Sequence, residues 1–470
     1  MAKRVLVIGG GPGGSTAAAL LAKHGQQVQL LERETFPRYK VGESLASACR
    51  VVLELSGAVA KVDAQGFPDK TGALLRWGQE EDWAIDWQAL FGSNVASWQV
   101  EREDFDAILL DHAAETGVDV RQNATVREVH FGDDGRPYAA TWVDGASGET
   151  HRSEFDVVID ASGRAGVLSQ QHFGLRRHHE IFRNVALWGY WQGGSLLPGT
   201  PSGGLDVISH PDGWYWVIPL RKDRYSVGFV THKTNLVERR PAHSSLEEML
   251  LSIVNESESV RGLLSEGSFC GKARVDQDYS YVADRFCGDG YYFVGDAACF
   301  LDPLLATGVH LALYSGMLAA TAILAEDRGE VEPAEATAFY ETLYRNAYAR
   351  LLVLVSGVYE QYKGKDSYFW LAQRMVREQS DSADPSKAAF VEIVAGFSDL
   401  RDASSPGGTT PMTGLLAEAQ RAVDRVNATA PRGASSLASL RIDPSDLHDK
   451  ATGLYLVTKP ELGIRRGRPA

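Results

Sequence analysis

The chain is poor in cysteine: four in 470 residues, Cys49, Cys270, Cys287 and Cys299, with no closely spaced pair. That excludes a disulfide scaffold and any C-x-x-C metal or redox site, and it suits a reducing cytoplasm. Basic residues are scarce beside acidic ones, 47 Lys and Arg against 61 Asp and Glu, for a net charge of −14. So acidic a surface argues against a phosphate-backbone partner, and nucleic acid is not expected. The one basic tip, Arg465-Arg466-Gly467-Arg468, reads as a solvated tail. Long apolar runs are missing too. The most apolar helical stretch, about 311–325, carries Tyr314 and Ser315 and reads as too short to span a bilayer, so no membrane is expected. The first strand-like run begins at residue 4 or 5, which leaves no room for a signal peptide. The expectation is a soluble cytoplasmic protein without a metal site, long enough for two or three domains.

What the chain does have is concentrated first at residues 4–33. Val5-Leu6-Val7-Ile8 reads as a buried parallel strand, and Ser15 to His24 as a helix rich in Ala and Leu. Between them, Gly9-x-Gly11-x-x-Gly14 permits a tight turn, lets backbone approach a pyrophosphate and lets the helix pack on the sheet. The helix N-terminus offers N–H groups and a positive dipole end to phosphates. A second strand, Val28 to Leu31, ends at Glu32, which is placed to accept hydrogen bonds from ribose hydroxyls. Strand, glycine turn, helix, strand and acid together predict a dinucleotide site. They do not separate NAD from FAD.

Further along, Lys40 to Ser56 reads as helical, and Glu101 to Thr116 as an amphipathic helix with Phe105, Ile108, Leu109, His112 and Ala113 on one stripe. Strands are expected at Val118–Val120, Thr125–Phe131 and Asp156–Asp160, with a hairpin at Tyr138–Val143 and His151–Phe155. Residues 66–98, with tryptophans at 77, 83, 87 and 98, and residues 185–231 alternate like sheet. Leu246–Leu264 reads as helix, Gly290–Val294 as a last parallel-type strand, and a helix follows Gly308. The region after about 335 is expected to be mainly helical, with loose Ser-, Gly- and Pro-rich loops between 398 and 436. The fold class expected is α/β with mixed α+β character. Its FAD-type nucleotide-binding domain is discontinuous (1–60, 99–175 and 285–334), with an inserted mixed β-sheet domain on the substrate side (61–98 and 176–284) and a helical C-terminal region (335–470). A plain NAD dehydrogenase usually keeps its nucleotide unit contiguous, so the dispersal favours FAD.

Gly9–Gly14 with Glu32, the helix around Arg102, Asp160–Arg164 and Gly295-Asp296 resemble the FAD site of the para-hydroxybenzoate hydroxylase-like flavoproteins, over roughly residues 3–330. Three stretches narrow the resemblance to the flavin-dependent halogenases. Trp214-Tyr215-Trp216-Val217-Ile218-Pro219 matches their W-x-W-x-I-P signature. Phe67-Pro68-x-Lys70-x-Gly72-Ala73, leading to Trp77-Gly78, resembles the segment that carries their active-site lysine. Gly295-Asp296-Ala297-Ala298-Cys299-Phe300-Leu301-Asp302-Pro303, then Thr307-Gly308-Val309-His310, resembles their flavin and halide segment. Arg38, Val41-Gly42-Glu43-Ser44-Leu45 and Tyr279-Ser280-Tyr281 match the branch acting on phenol or pyrrole rings.

The resemblance implies a glutathione-reductase-type FAD domain. Besides Gly9, Gly11, Gly14 and Glu32, it implies FAD contacts at Arg33, Arg38, Glu43, Ser44, Arg102, Val126, Asp160, Asp296, Pro303 and Val309. Arg102 would meet the pyrophosphate, and Asp296 a hydroxyl of the linker to the flavin ring. A halide, chloride or bromide, would sit on the backbone N–H groups of Thr307 and Gly308 and be oxidised there, with reduced FAD and dioxygen, to hypohalous acid. Lys70 would hold or capture that electrophile, as hydrogen-bonded acid or chloramine, and direct it to an aromatic carbon. Trp214 and Trp216 would stand between flavin and substrate. Members acting on tryptophan carry a glutamate two residues before the threonine-glycine pair, where this chain has Leu305. A phenol or pyrrole supplies its own electron push and needs no such carboxylate, which is costly to leave unpaired in an apolar pocket. Leu305 therefore points to an electron-rich phenolic or pyrrolic substrate, free or tethered to an acyl or peptidyl carrier protein. No second glycine fingerprint for a nicotinamide is visible, so a separate flavin reductase is the expected source of reduced FAD. His310, in the first turn of a helix, reads as structural. The rival readings are an FAD aromatic hydroxylase or reductase, and a flavin-binding sensor without turnover.

Overall fold

The computed structural model describes residues 2–78, 82–91, 96–360, 453–458 and 461–467. The apolar run near the N-terminus forms the strand Arg4–Ile8, flanked in parallel by Gln27–Leu31 and Val157–Asp160. Asp119–Arg121 and Tyr291–Phe293 extend this sheet in parallel on either side, and Cys287–Gly288 closes one edge antiparallel. Its central strands are buried on both faces, which is why they read as continuous apolar runs rather than alternating ones.

A second, eight-stranded sheet runs in the order Cys299–Phe300, Ser268–Ala283, Arg176–Gln192, Arg224–His232, Gly213–Leu220, Asp206–His210, Gly72–Arg76 and Trp83–Asp86. The tryptophan-rich stretch and the W-x-W strand lie in this sheet. The hairpin Pro137–Asp144 and Thr150–Glu154 joins Ala124–Phe131 in a three-stranded sheet.

Several elements differ from the sequence reading. Residues 40–47 are not helical: Gly42 takes a left-handed φ of +107° and Ser44 bridges antiparallel to Gln99, so the helix starts only at Ala48 and ends at Ser56. The 246–264 helix breaks at Ser257, whose side chain caps the second segment by accepting from the Val260 N–H. The helix after Gly308 runs Gly308–Asp327, 20 residues, so its length alone does not exclude a span; its most apolar window is 89% buried inside the fold. It is a core helix. Pro333–Glu360 is helical as expected, but the last described segment is a hairpin, Leu454–Val457 with Gly463–Arg466. The basic tip is accordingly not a free tail. Arg465 pairs with Glu330, Arg466 pairs with Glu335, and Ile464 is buried. The expected loose loops of 398–436 lie outside the described residues.

Two helices fix the nucleotide end of the molecule, Pro12–Lys23 and Gly308–Asp327. They meet backbone to backbone: a Cβ on Gly316 would stand 2.5 Å from the Gly13 oxygen, and one on Gly13 2.7 Å from the Ala312 oxygen. Gly316→Ala is therefore expected to force the helices apart and cost about 1–3 kcal/mol, although alanine is the better helix former. The urea midpoint measures this; an unchanged or raised midpoint would show that the helices yield freely.

Candidate active site

The glycine turn is dictated by close approach. Gly9 has φ of +106°, and a Cβ on Gly14 would sit 2.0 Å from the Gly9 oxygen. Pro12 occupies the first helical turn, where its missing N–H costs nothing. Glu32 accepts from the Gly10 N–H at 2.6 Å and the Glu34 N–H at 2.8 Å, so the acid also ties the turn to the end of the second strand.

From this turn a groove of about 530 Å³ runs to the tryptophan face of the large sheet. It is lined at one end by Gly9, Gly11, Gly14, Glu32, Arg33 and Val126, and in the middle by Arg38, Glu43, Ser44, Arg102 and Asp296. At the far end stand Pro303, Thr307, Gly308, Val309, Trp214 and Trp216. Residues scattered over three hundred positions thus converge on one groove.

The middle is organised by a residue the sequence reading missed. Asp106, fully buried, accepts two hydrogen bonds from Arg102, at 2.8 and 2.9 Å, and one from Arg38 at 2.9 Å. Arg102 also donates to the Val41 carbonyl at 2.9 Å. One carboxylate therefore aims two guanidiniums along the groove. Its signal was the i, i+4 spacing from Arg102, which on an amphipathic helix reads as a solvated pair.

A second missed feature is a buried chain of hydrogen bonds. Trp188 Nε1 donates to Tyr39 Oη at 2.7 Å, the Tyr39 and Tyr190 hydroxyls lie 2.9 Å apart, and Tyr190 donates to Glu43 Oε1 at 2.8 Å. Burial raises the Glu43 carboxyl above its usual range, opposed by the Tyr190 bond, the backbone N–H groups and the Arg102 charge.

At the far end the loop before Thr307 is pinned. Asp302 accepts from the Leu304 N–H at 3.1 Å and from the Asn184 amide at 2.7 Å, and its own N–H donates to Ser280 Oγ at 3.0 Å. Ala306 is held at a left-handed φ of +53°, a strain that non-glycine residues accept where the surroundings over-determine the backbone. The chain then turns into the helix Gly308–Asp327 with Thr307 at its N-cap, presenting first-turn N–H groups that have no intrahelical acceptor. That is a ready anion site. His310 is fully buried and stacks on Tyr314 at 5.8 Å.

The sheet wall obeys strand alternation: Trp214, Trp216 and Ile218 face the groove, while Tyr215 points away and donates to the Ile253 carbonyl at 2.7 Å. Trp216 fits because residue 228 is glycine, where a Cβ would lie 2.1 Å from the indole.

Three expected site residues do not line the groove. Asp160 is fully buried and saturated, accepting from the Ser162 hydroxyl and N–H and from the Leu168 and Ser169 N–H groups. It holds the turn whose residues Ala161–Gly163 line the groove, rather than facing a cofactor. Leu305 is buried at 5% exposure and is not itself part of the lining, although its neighbours Leu304 and Ala306 are. Lys70 sits on the short strand Asp69–Lys70, paired to Ser97–Trp98, and its Nζ lies 5.1 Å from the centre of the Trp87 ring. Burial pushes its pKa down to about 7, with a small opposing influence from the buried thiol of Cys49.

The groove suits FAD. The Ser44 hydroxyl is buried on its wall with no hydrogen-bond partner, the two guanidiniums match a pyrophosphate, and a helix N-terminus stands at each end.

The model of the tryptophan halogenase family matches residues 4–97 and 88–400. The tryptophan 2-halogenase of Chondromyces crocatus is 36% identical over 497 residues, covering 98% of this chain and 94% of the relative. The sulochrin halogenase gedL of Aspergillus terreus is 33% identical, covering 98% and 88%. Among solved structures, the flavin-dependent halogenase CmlS aligns with a TM-score of 0.76 and 32% identity, over 91% of this chain and 78% of that one. The myxobacterial chondrochloren halogenase CndH aligns at 0.74 and 32%, over 90% and 97%. These matches define a flavoenzyme of the halogenase class. The chain belongs to the flavin-dependent halogenase family, an FAD-using oxidoreductase.

Proposed function

We propose that this halogenase acts on an electron-rich phenolic or pyrrolic ring, with chloride as the halide. FAD supplies the oxidising chemistry when bound; Arg38 and Arg102 hold its phosphates, Glu32 its ribose and Asp296 the linker. Thr307 and Gly308 hold the halide, and Trp214 and Trp216 separate the flavin from the ring to be halogenated. In this reading, residues 1–60, 99–175 and 285–334 form the FAD unit, and 61–98 with 176–284 the substrate side.

The observation that carries the substrate class is the setting of Lys70. Its amine is buried, the one titratable group that perturbs it is the Cys49 thiol, and position 305 is leucine. Among the described residues no carboxylate pairs with this amine, and none stands at position 305, so the ring must supply its own electron density. Position 2, named for the tryptophan 2-halogenase relative, belongs to the five-membered, pyrrole-type ring of indole, in keeping with this chemistry.

The test is mass spectrometry of candidate phenols and pyrroles, free and loaded on carrier protein, incubated with reduced FAD from a flavin reductase, dioxygen and chloride or bromide. Halogenated phenol or pyrrole is expected; halogenation confined to the six-membered ring of indole would overturn the assignment. Lys70 acts as a neutral amine, whose lone pair captures the electrophilic halogen. Product formation should therefore rise with pH through about 7, where burial places its titration. A profile falling through that range would assign the work to the ammonium form.

A further inference from the structure

Buried polar atoms in folded proteins almost always find partners, so an unpartnered one needs a reason. Gln99 is fully buried, and neither its Oε1 nor its Nε2 has a hydrogen-bond partner; among the described residues no other side chain has two buried polar atoms in this state. Its place in the fold supplies the reason. Residues 97–100 run extended between two other segments and pair with each. On one side Ser44 faces Gln99, flanked by the bonds Leu45 N–H to Trp98 O and Val100 N–H to Glu43 O. On the other, Lys70 faces Ser97, and the Gln99 N–H donates to the Pro68 carbonyl.

Facing residues share a side of a pleated ribbon and alternate residues return to it, so Ser44, Gln99, Ser97 and Lys70 project to one face. Ser97 Oγ is occupied by the Leu45 carbonyl at 2.6 Å. Ser44 Oγ, like Gln99, has no partner, and neither does Nε1 of Trp87, the indole over which Lys70 lies. Ser44 lines the groove; Lys70 does not. Gln99 stands between them, directly across from Ser44 and diagonal to Lys70, a separation of roughly 7–8 Å for such neighbours.

We propose that Gln99 is the hydrogen-bonding step that carries hypohalous acid from the groove to Lys70. The acid has one O–H and an oxygen that accepts. A carboxamide meets both at once, its Oε1 accepting the O–H and its Nε2 donating to the oxygen. No bond is made or broken at Gln99. The halogen is handed on at Lys70, where N–X forms, O–X breaks and water leaves. The inference rests on the reading of Lys70 above.

The experiment is Gln99→Leu, made in the full chain and assayed as holoenzyme with a flavin reductase, halide, the aromatic substrate and a diffusible β-diketone that traps free hypohalous acid. Halogenated product per reduced FAD consumed is expected to fall about tenfold, the worth of one ordinary hydrogen bond to the reacting group, with the missing halogen recovered on the trap. The FAD-free variant should melt higher than the parent, because leucine removes two unpartnered polar atoms. An unchanged product-to-trap ratio overturns the proposal. A lower melting temperature with that ratio unchanged also overturns it, by assigning the amide to a structural water. A raised KM for the aromatic substrate with the ratio unchanged overturns it in favour of a substrate hydroxyl. Lys70→Met made alongside separates the two readings: if it still halogenates, Lys70 itself is misassigned, whereas an inactive Lys70→Met beside a normal Gln99→Leu fails the Gln99 step alone.

Discussion

Replacing Lys70 with methionine is expected to lower halogenation on the order of 10³-fold, the scale contributed by a group acting on the reacting atoms. FAD should still bind, because Lys70 is not among the residues lining the groove. The same substitution is expected to stabilise the fold. Methionine has nearly the volume of lysine without its charge, and burial has pushed the lysine down to about 7. Between about 7 and the ordinary lysine value of about 10.4, the unfolded chain holds a proton on this amine that the folded chain does not. Wild-type stability contributed by this group therefore rises with pH across that window, and below it the full burden of a buried ammonium remains. The methionine variant should exceed wild type most at about pH 6, and the gap should close as pH approaches about 10. Urea titrations at several pH values measure this. A gap independent of pH would mean that the amine reaches water in the folded protein.

The second large effect concerns Asp106. Removing it as alanine leaves Arg38 and Arg102, both held to this one carboxylate, without their shared counter-charge. Breaking a buried ion pair from one side costs about 3–5 kcal/mol, so the FAD-free Asp106→Ala protein should lose much of its stability. FAD affinity should fall at least about tenfold, equivalent to 1.4 kcal/mol, because the guanidiniums are no longer aimed. Excess FAD should restore part of the stability by supplying phosphate charge in place of the carboxylate. Denaturation with and without FAD, together with flavin fluorescence titration, reads both effects. A variant as stable as the parent without FAD would show that the two arginines do not depend on this acid.

The sequence by itself determined the features that repeat on a short period or must be glycine. The strand-turn-helix at residues 4–24 was legible because Gly9 and Gly14 cannot be anything larger. That Trp214 and Trp216 share one face was legible from alternation along a strand, and their place beside the flavin was what the family resemblance implied. The helix start at Thr307-Gly308 followed from a glycine before a long apolar run. What stayed illegible were relations between residues far apart in the chain. Asp106 passed unnoticed in the sequence, because Arg38, which meets the same carboxylate, lies sixty-eight positions away. Residues 40–47 looked helical until Gln99 drew Ser44 into an extended bridge. The basic C-terminal tip looked solvated until Glu330 and Glu335 met it. Lys70 was found from its neighbours in sequence, but its burial beside Cys49 and Trp87 comes from three separate segments closing over it. Local patterns fix which face a residue presents; only tertiary packing decides which charge, thiol or unpartnered amide it meets there, because desolvation and pairing depend on groups the local chain does not contain.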